Sequence, residues 1–426
     1  MFPDRSIAPD FKVISSVNLP EPKTYTLDNG IPLHVINIGE QPVIRLECIF
    51  EAGNWYESAI GASYFSIKML PEGTDNLSSH EISEAFDKLG AFTEMTHTSD
   101  RIGIVVYCLS RFLPEVLELV SQLIKNATFP EKELNELRNI TIQNLRVSKE
   151  KTAYLATTEF RAKLFGLNHP YGQSQTEENI ANLSIDAILD HYKGFVKQGK
   201  FTVVLSGQVG EGDVSLINQS LGANEVSSVL SKPEFSATAS GAESETVIER
   251  PESVQSSIRM GRVLFNRHHR DYFKMLVTNE ILGGYFGSRL MKNIREEKGL
   301  TYGISSHLVT LRNEGYLMIG TDVKKEFTQQ TIDEIKKEIV RLQSELVGEE
   351  ELTTVKNFMA GEFAGSLNTA FEVADRQKIL LLDGLPADFF NQYINNIHAT
   401  TSADVMAMAN AYLQEKDMII VIAGGK

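Results

Sequence analysis

An α+β fold of two homologous halves is what the sequence predicts. Each half would be a mainly antiparallel sheet packed with helices, the two arranged pseudo-symmetrically as one half of a clam-shell. Three observations carry this. The chain has 426 residues, too many for one hydrophobic core and enough for two domains of about 200 each. Strand patterns open and close each half, with helical stretches between them. And short stretches recur at nearly one offset. Glu131-Lys-Glu-Leu-Asn-Glu-Leu-Arg-Asn139 is echoed 218 residues later by Glu349-Glu-Glu-Leu-Thr-Thr-Val-Lys-Asn357. Asp186, before a helix, is matched by Asp404 at the same spacing of 218, and the strand ending Ser206-Gly207 by Met418–Gly424 at 217. Earlier in the halves, Lys88-Leu-Gly90 answers Glu297-Lys-Gly299 at 209, a difference that loop lengths produce.

The elements follow in order. Tyr25-Thr-Leu, the turn Asp28-Asn-Gly30, and the runs Ile31–Ile38 and Val43–Phe50 read as a hairpin and a further strand. Gly61–Thr74 is a short amphipathic helix stopped by Pro71 and Gly73. Then come a helix over Ser79–Leu89, strands from Phe92 to Leu109, and a long helix from about Pro114. Phe129-Pro-Glu-Lys-Glu opens another helix that passes Arg146, and Phe201–Gly207 is a buried strand. Val226–Ser244, rich in Ser, Ala, Gly and Glu, reads as a polar linker. The expected division is therefore a first half over 1–225, a linker over 226–244 and a second half over 245–426. In the second half an apolar helix ends at Gly283-Gly284, another runs to Lys298-Gly299, and a strand spans Leu300–Ser306.

Composition excludes several functions. A formal net charge of −15 argues against nucleic acid, whose phosphates demand a basic face. No apolar run approaches the ~18 residues of a membrane span. The start, Met1-Phe-Pro-Asp-Arg-Ser, shows no secretory signal, so the expected location is cytoplasmic, or periplasmic if a leader once preceded it. Cys48 and Cys108 lie in apolar strands and read as buried thiols. None of the nine histidines pairs with another at i+4, so spacing supports no metal site. No Gly-x-Ser-x-Gly elbow is present, and Gly207-Gln-Val-Gly-Glu-Gly212 lacks the Gly-Lys-[Ser/Thr] of a phosphate loop. Tyr64, Ile67 and Lys68 stand at i, i+3 and i+4 on one helix, the spacing of an H-x-x-E-H zinc site filled with the wrong chemistry.

Two stretches carry a resemblance. Gly283-Gly-Tyr-Phe-Gly-Ser-Arg-Leu290, followed by Ile294-Arg-Glu-Glu-Lys-Gly-Leu-Thr-Tyr302, resembles the second-half signature of the pitrilysin/insulinase family of inverzincin metallopeptidases. That family includes the mitochondrial processing peptidases. Gly61–Thr74 is similar to its zinc helix, and His169-Pro-Tyr-Gly172 also matches.

The resemblance implies that the first zinc His falls on Tyr64, the Glu base on Ile67, the second His on Lys68 and the third ligand, a Glu, on Asn144. All four are replaced, which implies no catalytic zinc and no cofactor in this chain. The substrate-holding Arg and Tyr of the family fall on Arg295 and Tyr302. Arg offers a planar donor fork to a peptide carbonyl, and Tyr a hydroxyl suited to an oxyanion. Spacing alone favours Arg295 pairing with a Glu on its own helix and Tyr302 packing on the sheet; the resemblance reverses that preference. The glycine-rich loop Gly283, Gly284, Gly287 is shorter than that of the non-catalytic processing-peptidase subunit.

The implied function is a non-catalytic, substrate-holding subunit of a heterodimeric zinc metalloendopeptidase acting on peptides. Its partner would be a catalytic chain with an intact H-x-x-E-H and the zinc; self-dimerisation is compatible with the same motifs. The alternatives are a structural or binding protein like the core subunits of respiratory complexes, and an independent enzyme with relocated ligands.

Overall fold

A computed structural model describes residues 13–223, 226–227 and 245–425. The expected linker lies, from 228 to 244, outside the described residues.

The first sheet holds β1 (Lys23–Thr26), β2 (Pro32–Asn37), β3 (Val43–Phe50), β4 (Phe92–His97), β5 (Ile102–Leu109) and β6 (Phe201–Gly207). Its order is β1-β2-β6-β3-β5-β4. The second holds β7 (Glu245–Glu249), β8 (Gln255–Leu264), β9 (Thr301–Thr310), β10 (Gly315–Lys324) and β11 (Ile419–Gly424), in the order β7-β11-β8-β10-β9. Apart from β1 the two orders superpose strand for strand: β2 answers β7, β6 answers β11, β3 answers β8, β5 answers β10 and β4 answers β9. In each sheet the closing strand runs parallel to one neighbour and antiparallel to the other. The internal repeat read from sequence is thus a repeat of topology.

Local chemistry accounts for the elements. The Asp28-Asn-Gly30 turn closes β1 on β2 with Gly30 at φ +80°, a left-handed conformation glycine adopts without strain. Along β3, Ile44, Leu46, Cys48 and Phe50 point into the first-half core, while Arg45 and Glu47 point to the opposite face. Helix Leu113–Asn126 buries Val116, Leu117, Val120, Leu123 and Ile124, one stripe at helical spacing, against that core. Cys48 and Cys108 are buried and unpaired. Two boundaries differ from expectation. The helix starting at Tyr272 widens into a π-helical turn over Glu280–Gly284, and β9 begins at Thr301 and continues to Thr310.

The outer face of each sheet is covered by a helix from the other half. Helix Thr152–Phe165 lies on β8 and β11, where Ala156, Phe160 and Leu164 cluster with Val421 and Ala423. Helix Ala370–Asp383 lies on β2 and β6, with Val373, Ala374 and Leu380 beside Ile36 and Val204. Charges pin this second contact. Buried Arg45 meets Glu47 at 2.9 Å and Asp375 at 2.8 Å, and Lys378 reaches Glu47 at 2.7 Å. Arg101 joins Glu51 at 2.9 Å and Asp383 at 3.1 Å, and Arg267 shares that Asp383. Breaking such a buried pair leaves an uncompensated charge, so the two halves are held in register. No helix among the described residues is long and apolar enough to cross a membrane.

Candidate functional site

Helix Ala62–Lys68 starts behind Gly61, whose φ of +99° turns the chain into it. The Glu57 carboxylate caps this start, accepting from the backbone N–H of Gly61 at 3.1 Å and of Ser63 at 3.2 Å. The Ser63 hydroxyl donates to the same oxygen at 2.8 Å, and Gln173 donates to the other at 2.9 Å. Burial pushes the Glu57 carboxyl above its usual range against these donors. Nε2 of His97, on β4, lies 2.9 Å from the Ser63 oxygen. Burial, with His191 and Lys68 adding to it, pushes His97 down to about 4, so the ring is neutral at pH near ~7. The Ser63 hydroxyl also lies 3.2 Å from the Asn54 Oδ1 acceptor; when its proton goes to the nearer Glu57 oxygen, His97 Nε2–H is the donor to the serine oxygen. Sequence reading missed this network because its members lie far apart in the chain and follow no motif.

Of the three residues at zinc-helix spacing, Tyr64 and Lys68 both face β4, while Ile67 is buried in the core. Tyr64 packs edge-on against His97 at 5.5 Å between ring centroids. Ile67 is 0% exposed, within the first-half core. Lys68 is half-buried and its Nζ donates to the Met95 carbonyl of β4 at 2.5 Å. Asn144 is exposed on helix Glu131–Lys149. A phenol, an alkyl group, an ammonium and an amide do not fit zinc, which takes thiolate, imidazole or carboxylate ligands. Among the described residues no group of three or more His, Cys, Asp or Glu is placed to hold a metal.

In the second half, Gly299 at φ +63° reverses the chain from helix Met291–Glu297 into β9. Arg295 stacks its guanidinium over Phe286 at 4.6 Å from the ring centroid, and among the described residues no carboxylate lies within ion-pair distance of it. Tyr302, on edge strand β9, is 93% exposed. Neither side chain is consumed by the structural contacts that spacing alone allowed. Gly283 is required by close packing, since a Cβ there would sit 2.8 Å from that of Ser306 on β9. At Gly284 and Gly287 a Cβ would meet the Glu280 carboxylate and the Tyr285 ring, which keeps this loop tight.

Glu362, 218 residues beyond Asn144, lies on helix Glu349–Gly365 near the π-helical turn that carries Glu280. Burial and the Glu362 carboxylate push Glu280 up to about 7. The folded chain therefore holds this proton more tightly than the unfolded one. That stabilisation is complete below the unfolded value near ~4.3 and is lost as pH rises through about 7. Glu280→Gln is expected to raise the melting temperature by a few degrees at about pH 8 and hardly at all at about pH 4. Equal shifts in thermal unfolding at both pH values would contradict this assignment.

Residues 182–359 match the family description "Peptidase M16 inactive domain", and residues 38–173 match "Insulinase (Peptidase family M16)". The chain belongs to the M16 family. Relatives of this M16 chain carry contrasting names. It is 24% identical to "Uncharacterized zinc protease YmxG" of Bacillus subtilis (strain 168), over 94% of this chain and 98% of that one. It is 22% identical to "Non-peptidase homolog YmxG" of Helicobacter pylori, over 87% of this chain and 86% of that one. The crystal structure of a peptidase M16 inactive domain from Pseudomonas fluorescens superposes with a TM-score of 0.83 at 23% identity, covering 95% of this chain and 98% of that one. At that identity the superposition shows the shared fold. The "inactive domain" description of the second-half match and the "Non-peptidase homolog" name of one relative support an inactive M16 member.

Proposed function

We propose that this M16 chain is the substrate-holding, non-catalytic subunit of a two-chain zinc metalloendopeptidase that acts on peptides. The observation that carries the reading is the split between its two halves. The zinc helix holds Lys68 and buried Ile67, while Tyr302 is exposed on edge strand β9 and Arg295 is partly exposed over Phe286 of the glycine loop. Edge strands β4 and β9 each have one unpaired side, which supports holding an extended peptide by backbone hydrogen bonds. A partner with an intact H-x-x-E-H would supply zinc and general base; this chain would close the chamber and offer the Arg fork and Tyr hydroxyl to the reacting carbonyl.

Reconstitution tests it. Mixed with a catalytic M16 chain, the protein should give peptide cleavage that neither chain gives alone. Cleavage or stoichiometric zinc in this chain by itself would overturn the reading, as would a partner that works equally well without it.

A further inference from the structure

The replaced zinc helix carries a positive charge with an unmet need. Lys68 is half-buried, and no carboxylate among the described residues lies within ion-pair distance of its ammonium. A partly desolvated ammonium is costly unless an anion or several acceptors face it. One acceptor is in place, the Met95 carbonyl at 2.5 Å, and an ammonium has two further N–H groups to donate.

The position of that carbonyl decides what fits next to it. Strands β4 and β5 join through a tight turn in which the Thr98 N–H donates to the Arg101 carbonyl at 2.8 Å. Thr98 and Arg101 are therefore a hydrogen-bonded pair. Hydrogen-bonded and open pairs alternate along an antiparallel ladder, so Thr96 with Gly103 is hydrogen-bonded and Met95 with Ile104 is open. The Met95 N–H and C=O thus point away from β5, to the free side of β4. A peptide pairing along that side would ordinarily aim an N–H at the Met95 carbonyl, and Lys68 already occupies it. A group that only accepts, and is negative, has no such conflict.

We propose that Lys68 turns the former zinc position into a carboxylate-binding subsite, which takes the C-terminal carboxylate of a bound peptide or an Asp or Glu side chain opposite Met95. The proposal rests on the peptide-holding role argued above and adds to it the chemical class of the group held. The charge of the position supports it. The family's two His and two Glu are matched here by Tyr64, Ile67, Lys68 and Asn144, so a place built for a cation now presents one. The anion must be captured locally, because the whole chain carries −15 and repels acidic ligands at long range.

The test is binding of three dye-labelled versions of one β-branched peptide to the full chain: free acid, C-terminal amide, and amide with one internal Glu. The wild-type chain should prefer a carboxylate-bearing version over the plain amide by about tenfold. Preference for the free acid identifies the terminus as the group held; preference for the Glu version identifies the side chain. Lys68→Met should erase the preference, and Lys68→Arg should keep most of it. Equal binding of all three versions, still weakened by Arg295→Ala with Tyr302→Ala, sinks the subsite and leaves the peptide-holding role standing. Failure of all three to bind sinks both.

Discussion

Replacing Arg295 and Tyr302 together by Ala is expected to lower kcat/KM for peptide cleavage by the reconstituted pair about 10²–10³-fold. Each side chain offers donors where charge grows on the reacting carbonyl, and such donors act most strongly when they are fixed and water is excluded. The Arg295 guanidinium carbon lies over the Phe286 ring at 4.6 Å from its centroid, a contact that uses none of its N–H groups. Tyr302 stands near the start of β9, where the ladder to β10 shifts register between Thr301 and Ile304, so the irregularity turns its side chain outward. Folding should be indifferent to the change, because Tyr302 is 93% exposed and Arg295 makes no ion pair among the described residues. An unchanged melting temperature with lost cleavage is the expected signature. Arg295→Lys should fall between, keeping charge but losing the fork. Full activity in the double variant would remove these residues from the mechanism.

The opposite signature is expected at Ile67. Ile67→Glu, which introduces the base that the family resemblance implies for this position, should destabilise the chain by about 3–5 kcal/mol. Ile67 is 0% exposed among core residues that include Phe65, Met69 and Leu70. A carboxyl placed there resists ionisation, so its folded pKa rises above the unfolded ~4.3. The variant should therefore lose further stability as pH climbs from acid to neutral. Zinc should not rescue it, since the neighbouring Tyr64 and Lys68 offer a phenol and an ammonium rather than zinc ligands. Urea unfolding with and without zinc reads all of this. Wild-type stability in Ile67→Glu would mean that the position still opens toward a site.

Much of the fold is legible in the sequence. The Asp28-Asn-Gly30 hairpin, the closing strand Phe201–Gly207 and the paired recurrences at 217 and 218 all rest on local chemistry, and all lie where they were expected. The exchange of helices between halves was not legible. Helix Thr152–Phe165 has apolar residues at Ala156, Phe160 and Leu164 that state a buried face, but nothing in them says which sheet buries it. The π-helical widening at Glu280–Gly284 leaves no mark that separates it from an ordinary helix end.

At the site, the replaced positions Tyr64, Ile67 and Lys68 were legible as types and spacing. Their surroundings were not. That Lys68 donates to the Met95 carbonyl, or that Glu57, Ser63 and His97 share one network, depends on a strand brought alongside from 27 and 34 residues away. Asn144 shows the limit from the other side: its place on the long helix opened by Phe129-Pro-Glu-Lys-Glu is legible in the sequence, but the exposure of its side chain is not.

The exchanged helices also set a timetable for the chain during synthesis. The β2–β6 face that carries Ile36 and Val204 is finished once Gly207 has emerged, but its cover, Ala370–Asp383, is made much later. Throughout that interval the nascent first half carries an uncovered apolar face and the buried-charge partners Arg45 and Glu47 without Asp375 and Lys378. Such a surface is where holding chaperones bind and where stalled chains aggregate. The first half is completed by the last part of the chain to be made, so translation must nearly finish before either half is whole.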